Sequence, residues 1–273
     1  MKKIRLIALD LDGTLLSDEK TIPAENLEAL REASGRGILI AIASGRMTPR
    51  IEPIEDLLGI DCVIVAYNGG KVLPPRKAGR AVLSHRPVPA SVAEVFIRFS
   101  REQGHLLNFY HEDVLYAEDG PLRRPLMEIY RGRTGAEYHL EKDLSRFIGV
   151  SPTKLILLAD PVERDRLHEE FRARLKAQAS ILKSDPEYLE VMAPGVDKGS
   201  ALEEIAAFYG VKMDEVLAVG DADNDVRMLA VAGLGVAVGN SQPHVKAMAK
   251  AVTRRTNNEG AVAEAVRTWA LSE

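Results

Sequence analysis

The chain has a single cysteine, Cys62, so no internal disulfide can form and nothing calls for an oxidising compartment. Cys62 lies in an apolar run and reads as a small core residue. No stretch approaches the roughly 18 consecutive apolar residues of a membrane-spanning helix. Positive charge is not in excess either: 36 Lys and Arg stand against 40 Asp and Glu, a net charge of -4. A chain that neutralises nucleic-acid phosphates needs the opposite balance on one face. Low-complexity tracts, heptad runs and solenoid-length repeats are missing too. The opening Met-Lys-Lys imitates a signal peptide, but Asp10 and Asp12 break the following apolar run at once, so it does not read as an h-region. These absences leave a cytoplasmic globular chain, binding neither nucleic acid nor membrane, as the expectation. With 273 residues, 46% hydrophobic and 28% charged, it can bury a sizeable core in one large domain or two ordinary ones.

What is present alternates short apolar runs with amphipathic stretches. Residues 4–9, 38–43 and 62–66 read as buried strands. Leu27, Leu30 and Ala33 keep helical spacing after Pro23, and Gly35 and Gly37 supply a stop. Residues 48–58 read as a helix that Pro53 breaks or kinks. The C-terminal third repeats the pattern, with helices over 201–209, 226–230, 243–250 and 261–269 and strands over 216–219, 234–238 and 251–252. Continuously apolar strands indicate a parallel sheet covered on both faces. The middle differs. Val92, Val95, Phe96 and Phe99 form one helical stripe, and strands over 106–110 and 114–117 flank the polar turn His111-Glu112-Asp113. A strand over 154–158, a charged helix over 161–177 and strands over 181–183 and 188–192 complete an α+β block built from hairpins rather than crossovers. Pro74-Pro75, Pro87 and Pro89 mark its entry and Pro194-Gly195 its exit. The expected fold is therefore α/β: a Rossmann-like parallel-sheet core over 1–82 and 193–273, split by an inserted domain over 83–192.

Four motifs carry chemistry. Asp10-Leu11-Asp12-Gly13-Thr14 follows the first buried strand and puts two carboxylates at a strand end, where open parallel sheets bind ligands. Ser44-Gly45-Arg46 follows the second: its hydroxyl and the amide beside Gly45 either bind a phosphoryl oxygen or cap a helix. Lys198 stands at a helix start, where the helix dipole opposes its charge, so a carboxylate or phosphate partner is expected. Gly220-Asp221-Ala222-Asp223-Asn224-Asp225 crowds acidic groups that need a compensating cation or lysine, and hard oxygen ligands suit Mg²⁺. The Ca²⁺-loop pattern fails, because no glycine follows Asp225. The six histidines show no ligand spacing, and Trp269 reads as core.

In this order, Asp-x-Asp-Gly-Thr, Ser-Gly-Arg, Asp-Lys-Gly and Gly-Asp-x-x-Asn-Asp resemble the haloacid dehalogenase superfamily, and within it the Cof-type phosphatases with a large inserted cap. Tyr67-Asn68-Gly69-Gly70 resembles that subfamily's Asn-Gly turn. The resemblance implies a Mg²⁺-dependent phosphatase of small phosphorylated metabolites such as sugar phosphates, working through an aspartyl phosphate; the alternative is a phosphosugar mutase on the same core. It makes Asp10 the nucleophile and Asp12 the general acid and base. Asp10, the Asp12 carbonyl and Asp221 would hold the metal. Asp225 would orient Asp221 or a metal water, or pair Lys198. Ser44, Gly45, Lys198, Asn224 and the amides of Leu11 and Asp12 would cradle the phosphoryl oxygens. Arg46 either partners the catalytic carboxylates or lines the entrance. A small phosphate ester is the one partner implied, and no oligomeric state follows.

Overall fold

The computed structural model describes residues 3–272. The chain divides into two compact units, Met1–Ser84 with Asp197–Glu273, and the intervening His85–Val196. The first begins with β1 (Leu6–Leu9), α1 (Ala24–Gly35) and β2 (Leu39–Ala43), then α2 (Glu52–Leu58), β3 (Val63–Ala66), β4 (Lys71–Leu73) and the short β5 (Ser84–His85). Pro53 does not kink a helix here. A 3-10 turn over Thr48–Arg50 precedes α2, and Pro53 falls in the first turn of α2, where its missing N–H has no intrahelical partner to lose.

The inserted unit holds α3 (Ala90–Gln103), β6 (Leu106–His111), β7 (Val114–Glu118), α4 (Arg124–Thr134), β8 (His139–Glu141), β9 (Lys154–Leu158), α5 (Pro161–Arg174), β10 (Ser180–Lys183) and β11 (Tyr188–Met192). Its strands run in the order β10-β11-β9-β6-β7-β8. The all-hairpin expectation is corrected at one step: α4 carries the chain from β7 across to a parallel β8. The sequence conceals α4 because it buries only Met127 and Tyr130, too few apolar positions to form a readable stripe. Helix α5 stops at Arg174, not 177, where Leu175 donates its N–H to Phe171 O and the chain turns. Leu107, Phe109, Leu155, Leu157, Leu189 and Val191 form a core with Phe96 of α3 and Phe171 of α5. The alternate positions Asn108, Tyr110, Lys154 and Glu190 are buried as well, with the Lys154 ammonium 2.7 Å from Glu190 Oε2.

The chain returns to the first unit with α6 (Lys198–Phe208), β12 (Val216–Gly220), α7 (Val226–Val231), β13 (Leu234–Ala237), α8 (Pro243–Met248), β14 (Ala251–Val252) and α9 (Ala261–Trp269). The sheet order is β14-β13-β12-β1-β2-β3-β4-β5, parallel from β14 to β3 and antiparallel at β3–β4. From β1 the chain steps one way through β2 and β3, and from β12 the other way through β13 and β14. The carboxyl ends of β1 and β12 therefore flank the topological switch point, where open parallel sheets leave a crevice. One sheet face packs Leu6, Ala8 and Ala41 against Leu202 and Ile205 of α6 and Met228 and Leu229 of α7. The alternate residues Ile7, Leu9, Ile40 and Ile42 are equally buried. Among the described residues no helix is long and apolar enough to cross a membrane.

Asn26 fastens α1 to α9 from inside the core. Fully buried, it donates to Leu15 O at 3.3 Å and accepts from Ala263 N at 2.8 Å, one of the first-turn amides that α9 cannot satisfy itself. Asn26→Ala leaves both groups buried and unpaired. Each should cost roughly 1–3 kcal/mol, read as a lower denaturation midpoint without a change of slope.

Candidate active site

The site grows from the ends of β1 and β12. Asp10 continues β1, donating its N–H to Val219 O at 3.0 Å, and its side chain is buried. The chain then turns at Gly13, whose φ is +82°. A Cβ there would lie 2.5 Å from Asp221 Oδ2, so glycine is what lets Asp221 close against the turn. Thr14 Oγ1 fixes that carboxylate by donating to Asp221 Oδ1 at 3.0 Å.

Lys198 opens α6 behind the N-cap Asp197, whose side chain accepts from Ser200 N at 2.8 Å. Fully buried, its ammonium donates to Asp10 Oδ1 at 2.5 Å and to Asp225 Oδ1 at 2.6 Å. Asp225 Oδ2 in turn accepts from the Asp221 and Ala222 amides at 2.9 and 3.1 Å. Oxygens of Asp10, Asp221 and Asp225 all lie within 4.8 Å of one another, the one such group among the described residues. No histidine belongs to it.

One buried ammonium stands among three carboxylates, of which Asp10 and Asp225 are buried and Asp221 is half-buried. Burial, and then the charge of Asp225, push the Asp10 carboxyl well above its ordinary value against the pull of Lys198. The same two causes push Asp221 up to about 6. Burial opposes the charge on Lys198, but Asp10 and Asp225 outweigh it and hold the ammonium above its ordinary range. A cation among these oxygens would relieve the repulsion, and an all-oxygen donor set fits a hard divalent ion.

Asp12 points elsewhere. Arg46 donates Nε to its Oδ2 at 2.7 Å and Nη2 to its Oδ1 at 2.6 Å, and Lys20 Nζ donates to Oδ1 at 2.8 Å. Burial alone would raise the Asp12 carboxyl, yet the hydrogen bonds from Arg46 and Lys20 hold it below its usual value. Arg46 is thus the partner of the Asp12 carboxylate. Ser44 is buried and caps no helix: its Oγ accepts from Arg46 N at 3.2 Å. A Cβ on Gly45 would meet the Asn68 side chain at 3.2 Å, and Asn224 Nδ2 donates to Asn68 Oδ1 at 3.1 Å. Ser44, Gly45 and Asn224 are thereby linked through Asn68, whose N–H also donates to Ser44 O at 2.9 Å. Leu11 is buried in the turn that joins Asp10 to Asp12. Sequence reasoning missed Asn68 and Lys20 as parts of the site. The Asn-Gly turn was a signal for Asn68; Lys20 lies in no motif.

The sequence profile of the haloacid dehalogenase-like hydrolases matches residues 7–266. The 5-amino-6-(5-phospho-D-ribitylamino)uracil phosphatase YcsE of Bacillus subtilis is 30% identical over 276 residues, covering 98% of this chain and 96% of that one. An HMP-PP phosphatase of Serratia proteamaculans is 30% identical over 244 residues, covering 89% and 87%. The crystal structure of a haloacid dehalogenase-like hydrolase from Bacteroides thetaiotaomicron superimposes with a TM-score of 0.88 at 30% identity, covering 97% of this chain and 99% of that one.

The donor set makes a direct test possible. Asp221→Asn removes one charge from the cluster while keeping its volume. Calorimetric titration with Mg²⁺ should show affinity lower by about 10–100-fold or more, since even groups that merely support a metal ligand are worth that much.

Proposed function

The chain belongs to the haloacid dehalogenase-like hydrolases and hydrolyses phosphate monoesters of small metabolites, and on that premise we propose that Asp10 is the nucleophile, Asp12 the acid and base, and Mg²⁺ the cofactor. The observation that carries this reading is the contact of Lys198 with Asp10 Oδ1 at 2.5 Å beside Asp221 and Asp225 at the sheet's switch point. The hydrogen bond from Lys198 orients the Asp10 carboxylate for attack on phosphorus in line with the leaving oxygen.

Asp10, the Asp12 backbone carbonyl and Asp221 would hold Mg²⁺. When bound it supplies charge neutralisation for the phosphoryl group, which is much of what phosphoryl transfer requires. Lys198, Ser44, Asn224 and the amides of Leu11, Asp12 and Gly45 would take the phosphoryl oxygens, and Asp225 would fix Lys198 and the Asp221 backbone. Asp12 would give a proton to the leaving oxygen and take one from the water that cleaves the aspartyl phosphate. The inserted segment expected over 83–192 would choose the leaving group. We place the reaction in the cytoplasm, on a small phosphate ester and not on nucleic acid, as the acidic charge balance favours.

Two outcomes check the proposal. Chelation should abolish turnover and Mg²⁺ restore it, while Ca²⁺ should substitute poorly, because its looser shell of about 6–8 oxygens mis-aims Asp10. Activity surviving in excess chelator would remove the metal. The second outcome separates the two jobs of Asp12. An alkyl phosphate expels an alkoxide that needs a proton, whereas an aryl phosphate expels a phenolate that needs little help. Asp12→Asn should therefore lose about 10²–10⁴-fold on an alkyl phosphate. With an aryl phosphate it should release one phenol per site and stall as a phosphorylated Asp10, seen by rapid quench and mass spectrometry. Unimpaired turnover of both esters would take Asp12 out of the chemistry.

A further inference from the structure

Lys20 sits outside every motif, yet the fold commits several contacts to its placement. Its φ is +62°, a left-handed conformation that non-glycine residues seldom adopt. The turn that enforces it is closed by Lys20 N to Ser17 O at 2.9 Å and Ser17 N to Thr21 O at 2.8 Å, with the Ser17 and Thr21 hydroxyls 2.8 Å apart. The far end of the chain anchors that turn. The buried Asn257 donates Nδ2 to Leu16 O at 3.0 Å and to Asp18 Oδ1 at 2.9 Å. Asn258 donates Nδ2 to Asp18 Oδ2 and accepts from Asp18 N, both at 2.9 Å. The outcome of this bracing is the Lys20 ammonium 2.8 Å from Asp12 Oδ1.

An exposed ion pair such as this one contributes little to stability. Its geometry is more informative. A carboxylate has about four lone-pair sites, two on each oxygen. Among the described residues Asp12 Oδ1 receives both Lys20 Nζ and Arg46 Nη2, so it is filled, whereas Oδ2 receives Arg46 Nε alone. We propose that Lys20 is a positioning residue that blocks Oδ1 and so reserves Oδ2 of Asp12 for proton transfer. This rests on the reading of Asp12 as acid and base. In the first step Asp10 bonds to phosphorus, the bond to the leaving oxygen breaks, and that oxygen takes the proton from Oδ2. In the second, water bonds to phosphorus, the bond to Asp10 breaks, and the proton of the water returns to Oδ2. Without Lys20, Oδ1 competes for the proton and the carboxylate is free to turn about Arg46.

The test is kcat/KM across phosphate esters whose leaving groups run from alkyl alcohols to p-nitrophenol, for wild type, Lys20→Met, Lys20→Arg and Asp12→Asn. Lys20→Met should lose about tenfold or more on the alkyl esters, a part of what acid catalysis supplies. On p-nitrophenyl phosphate it should lose no more than about threefold, because that leaving group needs little protonation. The dependence on leaving-group pKa becomes steeper, and Lys20→Arg should recover most of the loss. A loss equal across the series would mean that Lys20 shapes the whole site or touches the phosphate, and would overturn the proposal, as would no loss anywhere. Asp12→Asn reads the underlying assignment by itself. If its loss is selective for alkyl esters and that of Lys20→Met is not, only the role of Lys20 fails. If its own loss ignores the leaving group, both fail.

Discussion

The buried ammonium of Lys198, held between Asp10 and Asp225, is the interaction on which the site depends. A lysine taken wholly out of water survives as a charge only with close partners, because its desolvation is worth several kcal/mol. The partners come from the first strand end and from the turn before α7, and they are brought together by the β1–β12 pairing. Once they are in place, the same arrangement oversupplies negative charge. Asp225 both pairs the ammonium and holds the Asp221 amide, which brings Asp221 to the cluster. Lysine alone leaves the set short of positive charge, and that shortage is the physical demand for a cation.

Asp10 and Asp12 are two residues apart in sequence and have opposite surroundings. Asp10 turns inward to a buried cluster that raises its carboxyl; Asp12 turns to Arg46 and Lys20, which lower its own. The separation follows from the strand end. One carboxylate continues the strand toward the sheet, and after Leu11 the next emerges on the turn that Gly13 makes possible, within reach of Arg46 and the 17–21 turn.

How much of this is legible in the sequence depends on the range of the contacts. The parallel sheet is legible because its strands are continuously apolar, and the acidic turns are legible because they follow those strands directly. The charge of Lys198 at a helix start announces a missing partner. Helix α4 stays hidden because most of its surface is polar. Arg46 could not be assigned from sequence because its partner lies 34 positions away with no periodicity to connect them. Lys20 is harder still: it depends on a left-handed residue, and on asparagines roughly 240 positions away that brace its turn.

That last contact shows how the chemistry is distributed along the chain. Asn240 donates to Gly13 O at 2.8 Å, Asn257 and Asn258 hold the 16–18 segment, and Asn26 caps an amide of α9. The turn that follows β1 in the N-terminal third is therefore fixed by the C-terminal third, and neither is complete alone. Such a core still tolerates a large insertion between its halves, because loop-closure cost grows only logarithmically, about 0.6 kcal/mol for each doubling of length. The insertion carries its own core of Phe96, Phe109, Phe171 and their neighbours. Among the described residues, the hydrogen bonds that join Asp10, Asp12, Lys198, Asp221 and Asp225 to their side-chain partners are made within the first unit. Substitutions over 85–196 therefore leave those hydrogen bonds as they are.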